Sequence, residues 1–193
     1  MFVVRRNWSM NLFKSRGIVR QGDDGLLDAV VLASTNDGAI TAQEFVMRGN
    51  ALDLKADFEA AIEAYNHAIN LDPSLVAAYF NRAVSLNNNG KIEEALRDYD
   101  MVIELDSEYP DAHFSRATIY RKKGMTSDAV ADLKREIELQ PENANAYNEL
   151  AWLLATTTKQ DIHDPPAAFE YAKRAVELSD ANDWRFLDTL ARA

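Results

Sequence analysis

Hydrophobic and small residues recur along most of this 193-residue chain at a fixed interval of 34 positions. The clearest series is an arginine followed by glycine or alanine, at Arg48, Arg82 and Arg116. Three further series keep the same interval: Ala61, Ala95 and Ala129; Tyr65, Tyr99 and Leu133; Leu71, Leu105 and Leu139. A period of this length predicts stacked copies of one supersecondary unit.

Each segment of the period predicts two amphipathic helices joined by a turn. Its large and small apolar residues are spaced by 3, 4 and 7 positions, which places them on one face of a helix. Gly90 and Gly124 stand where a helix needs a left-handed last residue, and Ala56 takes that place in the first segment. Small residues such as Gly49 and Ala61 allow the paired helices to approach closely, so larger side chains there would overpack the interface.

The 34-residue pattern resembles the tetratricopeptide repeat (TPR), in which aromatic-x2-Leu-Gly/Ala-x2-Tyr is followed by Ala-x3-aromatic and then proline. The resemblance covers residues 42–193 and departs from the family where arginine replaces leucine. It implies an all-α fold, a right-handed α-solenoid of antiparallel helix pairs with about four TPR units plus a C-terminal helix. We expect units near residues 42–75, 76–109, 110–143 and 144–182.

The fourth unit contains an insertion. Its second helix aligns only if a loop is allowed near residues 157–164, and the Asp at the end of this loop precedes proline, as is typical of a helix start. Asp161, His163 and Asp164 are interpreted as solvated loop residues, because no second group of metal ligands accompanies them. Residues 184–193 are predicted to form a capping helix or the first helix of a truncated fifth unit.

Charge separates the N-terminal segment from the rest. Residues 1–22 hold five basic residues and no acid, although the whole chain has a formal net charge of −10. The acidic remainder repels polyphosphate, so we expect no nucleic-acid partner. We expect residues 1–41 to be a basic segment that is partly disordered or forms a short packed element. A cytoplasmic location is predicted, with an organellar presequence as the alternative interpretation of the basic segment.

Several functional classes find no support in the sequence. The chain has no cysteine, which excludes disulfides and thiolate metal sites. No apolar run reaches the roughly 20 residues that span a bilayer. No serine, histidine and carboxylate form a recognisable catalytic pattern, and no glycine-rich phosphate loop is present. We therefore expect a protein that is not an enzyme, with no cofactor, no bound metal and no membrane span.

The resemblance implies that the first helix of each unit lines a concave groove that holds a peptide or a helix of a partner protein. Asparagines suit such a groove, because a carboxamide both donates to and accepts from a peptide backbone. The candidate groove residues are Asn50, Phe80, Asn81, Val84, Asn87, Asn88, Phe114, Ser115, Thr118, Arg121, Asn148 and Trp152. Arg82, by contrast, is expected to lay its alkyl stem along the scaffold.

One TPR subfamily, the cochaperones, clamps the C-terminal carboxylates of heat-shock proteins with two asparagines and three basic residues. Asn50 and Asn81 match its asparagines. Val46, Asp111 and Ser115 fill the basic places, so we expect no carboxylate clamp and no binding to chaperone tails.

The leading hypothesis is a scaffold for protein–protein interaction that binds a segment of a partner of unknown identity. The alternative is a repeat segment that serves as a regulatory or assembly module of a larger enzyme or complex. An RNA reader of the pentatricopeptide type is disfavoured by the strict 34-residue period and by the acidic body.

Overall fold

The computed structural model describes residues 40–179 and 184–193, so the expectations for the basic N-terminal segment lie almost entirely outside it. The described residues form nine α-helices and no strand. The helices are α1 (Ala42–Asp53), α2 (Phe58–Leu71), α3 (Val76–Asn88), α4 (Ile92–Leu105), α5 (Ala112–Lys122), α6 (Thr126–Leu139), α7 (Ala144–Thr156), α8 (Pro165–Leu178) and α9 (Trp184–Arg192). This confirms the predicted all-α, TPR-like array of helices.

The helices form two compact bodies, which divide after Lys91. The N-terminal body contains α1 to α3, in which α1 packs on α2, α2 packs on α3, and α1 also touches α3. The C-terminal body contains α4 to α9. There each helix packs on the next, and α9 lies against both α7 and α8.

The turns adopt the backbone conformation that the sequence predicts. Gly90 and Gly124 have φ angles of 80° and 73°, and Ala56 has a φ of 59° at the equivalent turn of the first unit. A left-handed alanine is strained by its Cβ, whereas glycine is not. The period therefore places a left-handed residue after the first helix of each of the first three units, even where the residue is not glycine.

Small residues bring the helices of a unit into close contact. Ala61, Ala129 and Ala168 are completely buried. At Gly49 the approach is closer still, because a Cβ built on it would collide with the ring of Tyr65 from α2, at 2.6 Å from Cζ. A real Cβ does not tolerate that distance, so the ring occupies the space that a side chain at position 49 would need.

An ion cluster, which we define as His113, Arg116 and Asp132, joins α5 to α6 inside the C-terminal body. Arg116 donates two hydrogen bonds to Asp132, from Nε at 2.8 Å and from Nη2 at 2.7 Å. His113 Nδ1 lies 3.0 Å from the same carboxylate. Burial alone would raise the pKa of Asp132, but the hydrogen bonds from Arg116 and His113 hold it below its ordinary value. Arg116 also reaches the exposed Asp100 at 2.6 Å.

In the fourth unit, α7 ends at Thr156 and α8 begins at Pro165. Asp164 caps α8 by accepting a hydrogen bond from the backbone N–H of Ala167 at 3.1 Å. His163, considered above as a loop residue, has its Nδ1 at 3.1 Å from the Leu154 carbonyl. Because a carbonyl only accepts, this nitrogen carries the proton. The loop is thereby tied back to the end of α7.

Candidate functional site

The structure brings together two of the predicted groove residues, Asn50 of α1 and Asn81 of α3. Their carboxamides lie side by side, with Asn81 Nδ2 at 2.9 Å from Asn50 Oδ1. Asn50 is exposed and Asn81 is half-buried. We call this pair the amide surface. It is an uncharged polar patch on the first helices of two successive units.

A buried hydroxyl supports the amide surface from below. Tyr65 of α2 is completely buried, and its Oη lies 2.7 Å from Asn50 Oδ1 and 2.7 Å from Asp53 Oδ2. Ser85 of α3 donates to the same carboxylate, with Oγ 2.7 Å from Asp53 Oδ1. Burial, reinforced by the hydrogen bond to Asp53, raises the pKa of Tyr65 far above its ordinary value. The hydroxyl therefore keeps its proton at any physiological pH.

Sequence reasoning missed these supporting residues. It assigned Tyr65 to the packing period alone and gave no role to Asp53 or Ser85. A signal was present, since Asp53 follows Asn50 by three positions and Ser85 follows Asn81 by four. On a helix, that spacing places the later side chain on the same face as the asparagine.

The remaining candidates of the N-terminal body lie along α3. Phe80, Val84 and Asn87 are half-buried, and Asn88 is exposed. Val84 and Asn88 follow Asn81 by three and seven positions, so they continue its line along the helix. The amide surface is thus bordered by one apolar and one exposed polar side chain.

In the C-terminal body, the structure groups Arg121 of α5 with Glu149 and Trp152 of α7. The guanidinium carbon of Arg121 lies 5.6 Å from the centre of the Trp152 ring, a cation–π distance. Arg121 Nε is 2.9 Å from Glu149 Oε2, although the angle does not make a hydrogen bond. Trp152 is 37% exposed. We call these three residues the arginine–tryptophan surface. Glu149 was not among the predicted residues.

Three of the other candidates of the C-terminal body, Phe114, Ser115 and Thr118, make contacts within the scaffold. Phe114 packs against the core formed by α5 to α8. Ser115 hydrogen-bonds to Tyr99, whose pKa is raised to about 12 because burial outweighs that bond. Thr118 Oγ1 donates to the Ser115 carbonyl at 2.7 Å. Asn148 Oδ1 is buried and, within residues 40–179 and 184–193, accepts no hydrogen bond.

The three positions that carry basic residues in a carboxylate clamp are occupied differently here. Val46 is half-buried and packs on the core of the N-terminal body. Asp111 is exposed at the start of α5, with a left-handed φ of 65°. A cavity of about 540 Å³ beside Asp111 is lined by Gln140, Pro141, Glu142 and Asn143, none of them basic.

Two further observations concern metal binding and membranes. In the part of the chain that the structure describes, no three His, Asp or Glu side chains are grouped as metal ligands. None of the described helices combines the length and the apolar character that a membrane crossing requires.

Comparison with known proteins agrees with this architecture. One family model, of the TPR repeat, matches residues 49–90 and 85–124, and a second, of the tetratricopeptide repeat, matches residues 114–183. The chain therefore belongs to the tetratricopeptide-repeat family. No curated protein matches the sequence at a significant level.

Solved structures of TPR proteins share the fold. MamA (41-end) from Desulfovibrio magneticus RS-1 is 18% identical, with a TM-score of 0.69 over 92% of this chain and 94% of that chain. YrrB, described as a TPR protein with an unusual peptide-binding site, is 17% identical, with a TM-score of 0.67 over 92% of this chain and 86% of that chain. The first TPR of Spaghetti (RPAP3), bound to the HSP90 peptide SRMEEVD, is 26% identical, with a TM-score of 0.57 over 58% of this chain and 90% of that chain. Fold and family together define a scaffold for protein–protein interaction.

Proposed function

We propose that this TPR scaffold binds an extended segment of a partner protein on the first helices of its units, with the amide surface as the principal contact. The observation that carries the proposal is the pairing of Asn50 and Asn81 across α1 and α3 on an accessible face. Two carboxamides held together by neighbouring helices match the alternating N–H and C=O groups of an extended backbone.

The surroundings of the amide surface suit a neutral or basic segment. Asp53 lies directly beneath it, and its carboxylate has no arginine or lysine partner among the described residues. Phe80 and Val84 of α3 add apolar area that a partner's side chains can cover. We expect an affinity on the order of micromolar, which corresponds to about −8 kcal/mol.

The same arrangement disfavours the C-terminal carboxylates of chaperone tails. The RPAP3 domain is a TPR that binds such a peptide. In this chain the three basic clamp places hold Val46, Asp111 and Ser115, and the hydroxyl of Ser115 is engaged by Tyr99. None of these three residues is a cation, so nothing replaces the basic side chains of the clamp. A ligand carboxylate placed beside Asp111 would also be repelled by the like charge of that side chain.

The arginine–tryptophan surface is a second candidate contact, in the C-terminal body. Its exposed indole offers apolar area, and Arg121 can turn from Glu149 to an acidic or carbonyl group of a partner. We assign it a weaker role, because the ion pair already satisfies most of its charge.

Selection of random linear peptides displayed on phage against the full chain tests the proposal. Selected peptides are expected to bind the wild-type protein, and the double variant Phe80→Ala/Asn81→Ala is expected to bind them about tenfold or more weakly. Asn70→Ala is the matched control, because Asn70 is an exposed asparagine on α2. Far-UV circular dichroism checks that all variants stay helical. Equal binding by the double variant would contradict the assignment of the site.

The prediction that the chain does not bind chaperone-tail carboxylates is tested separately. Fluorescence anisotropy with labelled SRMEEVD is expected to show no saturable binding to the wild-type chain. Saturable binding that Asn81→Ala removes would show that a carboxylate clamp exists despite the missing basic residues.

A further inference from the structure

The hydrogen-bond cluster under the amide surface contains a conflict over one proton. The Tyr65 hydroxyl lies 2.7 Å from Asp53 Oδ2 and 2.7 Å from Asn50 Oδ1, and both of these oxygens are acceptors. A hydroxyl has a single proton to donate. In one of the two short contacts, therefore, the Tyr65 oxygen must accept a hydrogen bond instead of donating one.

Turning the Asn50 carboxamide by 180° resolves the conflict. Its oxygen and nitrogen exchange places in that turn, and the two arrangements have the same shape. Asn50 Nδ2 then donates one hydrogen to Tyr65 Oη and its second hydrogen to Asn81, provided that Asn81 turns as well and presents Oδ1. Both short contacts of Asn50, with Tyr65 and with Asn81, then have a donor and an acceptor.

The choice between the arrangements depends on which acceptor takes the Tyr65 proton. Hydrogen bonds to an ionised carboxylate are about twice as strong as those between neutral groups. The proton therefore goes to Asp53, which Ser85 Oγ also approaches at 2.7 Å. A Tyr65 oxygen whose proton points to Asp53 faces Asn50 with a lone pair, and it requires a donor there.

We infer that Tyr65 is a positioning residue that turns Asn50 carbonyl-outward and Asn81 amino-outward, so that the amide surface offers one acceptor and one donor to a ligand. The class of ligand in this inference rests on the proposed function, whereas the orientation of the two asparagines does not. The N–H and C=O groups of one residue in an extended segment point to the same side, as they do where two antiparallel strands pair. A neutral amide ligand, such as that backbone or a glutamine side chain, satisfies both groups. A carboxylate, which only accepts, meets the outward carbonyl of Asn50.

Hydrogen exchange of the two side-chain amides, measured by ¹⁵N NMR on the full chain, tests this orientation without a ligand. Asn50 Nδ2 has both hydrogens bonded, so they are expected to exchange about tenfold more slowly than those of Asn81. The variants Asn50→Ala and Asn81→Ala identify the two resonance pairs. The opposite order, with Asn81 protected and Asn50 exchanging freely, overturns the inference.

Tyr65→Phe separates positioning from packing, because it removes the oxygen and keeps the ring. The protection of the Asn50 amide is expected to fall about tenfold, while backbone amides of α1 and α3 keep theirs. Tyr99→Phe is the matched control, since Tyr99 is the equivalent tyrosine of the next unit, and it should leave both asparagines unchanged. Unchanged Asn50 exchange in Tyr65→Phe also overturns the inference.

The outcomes distinguish this inference from the proposed function. A reversed order of exchange rejects the orientation even if peptides are selected. Failure of the peptide selection rejects the proposed function and leaves the orientation decided by exchange alone.

Discussion

The N-terminal and C-terminal bodies use equivalent positions of the repeat for different chemistry. Residues separated by two periods compare as follows: Asn50 with Thr118, Asp53 with Arg121, Tyr65 with Leu133, and Asn81 with Glu149. The first set builds a neutral patch on a buried hydroxyl, whereas the second builds a partly exposed ion pair beside Trp152. The period therefore specifies which side chains meet between helices and leaves their chemistry open.

A second contrast concerns the buried polar groups. The cluster under Tyr65 ends in the exposed Asn50, but the ion cluster joins α5 to α6 through buried His113 and Asp132 and half-buried Arg116. At the position two periods before Asp132 stands Ala64, and Arg48, the counterpart of Arg116, is exposed. The C-terminal body thus uses its ions for stability, while the N-terminal body uses its polar cluster to orient surface groups.

Asp132→Asn is expected to have the largest effect, because it leaves Arg116 and His113 facing a neutral group. Breaking a buried pair costs about 3 kcal/mol of the unfolding free energy. Urea denaturation measures the loss. Asp100→Asn is the control, since this exposed partner of the same arginine should contribute less than about 1 kcal/mol. Equal losses in the two variants would show that the cluster is not specially stabilising.

Gly49→Ala is expected to destabilise the N-terminal body by about 2 kcal/mol, because the new Cβ collides with the Tyr65 ring. Alanine is native at the equivalent position 83, so Ala83→Gly should cost only about 1 kcal/mol of helix propensity. Adding Tyr65→Leu, the residue found at position 133, should relieve part of the Gly49→Ala loss. Strict additivity in the double variant, measured by thermal unfolding, would contradict the steric explanation.

Acid should unfold the two bodies differently. The folded-state pKa of Asp132 lies below the ordinary value of an aspartate, so its stabilisation is complete above that ordinary value and is lost as pH falls through the lower folded pKa. Near-UV circular dichroism against pH should show this loss in the wild type. Asp132→Asn should flatten the curve below about pH 4. An identical acid transition in the variant would assign the effect to other carboxylates.

Arg121→Ala is expected to have the smallest effect. Its ion pair with Glu149 and its contact with Trp152 are partly exposed, so stability should change by less than about 1 kcal/mol. Indole fluorescence should change, because the guanidinium leaves the ring. A loss above about 2 kcal/mol would indicate that this surface is a structural element of the C-terminal body.

The fold could be predicted from the sequence because it depends on features that repeat with the 34-residue period. Small residues such as Ala61 and Ala129 mark where helices cross, and Gly90 and Gly124 mark where they end. Both features are local, and tertiary contacts did not override them. The positive φ of Ala56 follows from the register alone.

The candidate site was less accessible from the sequence. Family positions pointed to Asn50 and Asn81, but the role of Tyr65 depends on a hydrogen bond between helices. Such bonds are set by the direction of side chains at a crossing, which residue spacing does not specify. For the same reason Phe114 and Ser115, predicted to face a ligand, also make contacts inside the scaffold.

The division of the chain after Lys91 falls between α3 and α4, which are the two halves of the second sequence unit. The boundary between the compact bodies therefore does not coincide with a boundary between sequence repeats. Deletion of residues 76–109 as one module would remove one helix from each body and expose the side of α2 that packs against α3. Engineering that lengthens or shortens this array should therefore cut and join at the turn of Gly90, where the two compact bodies divide.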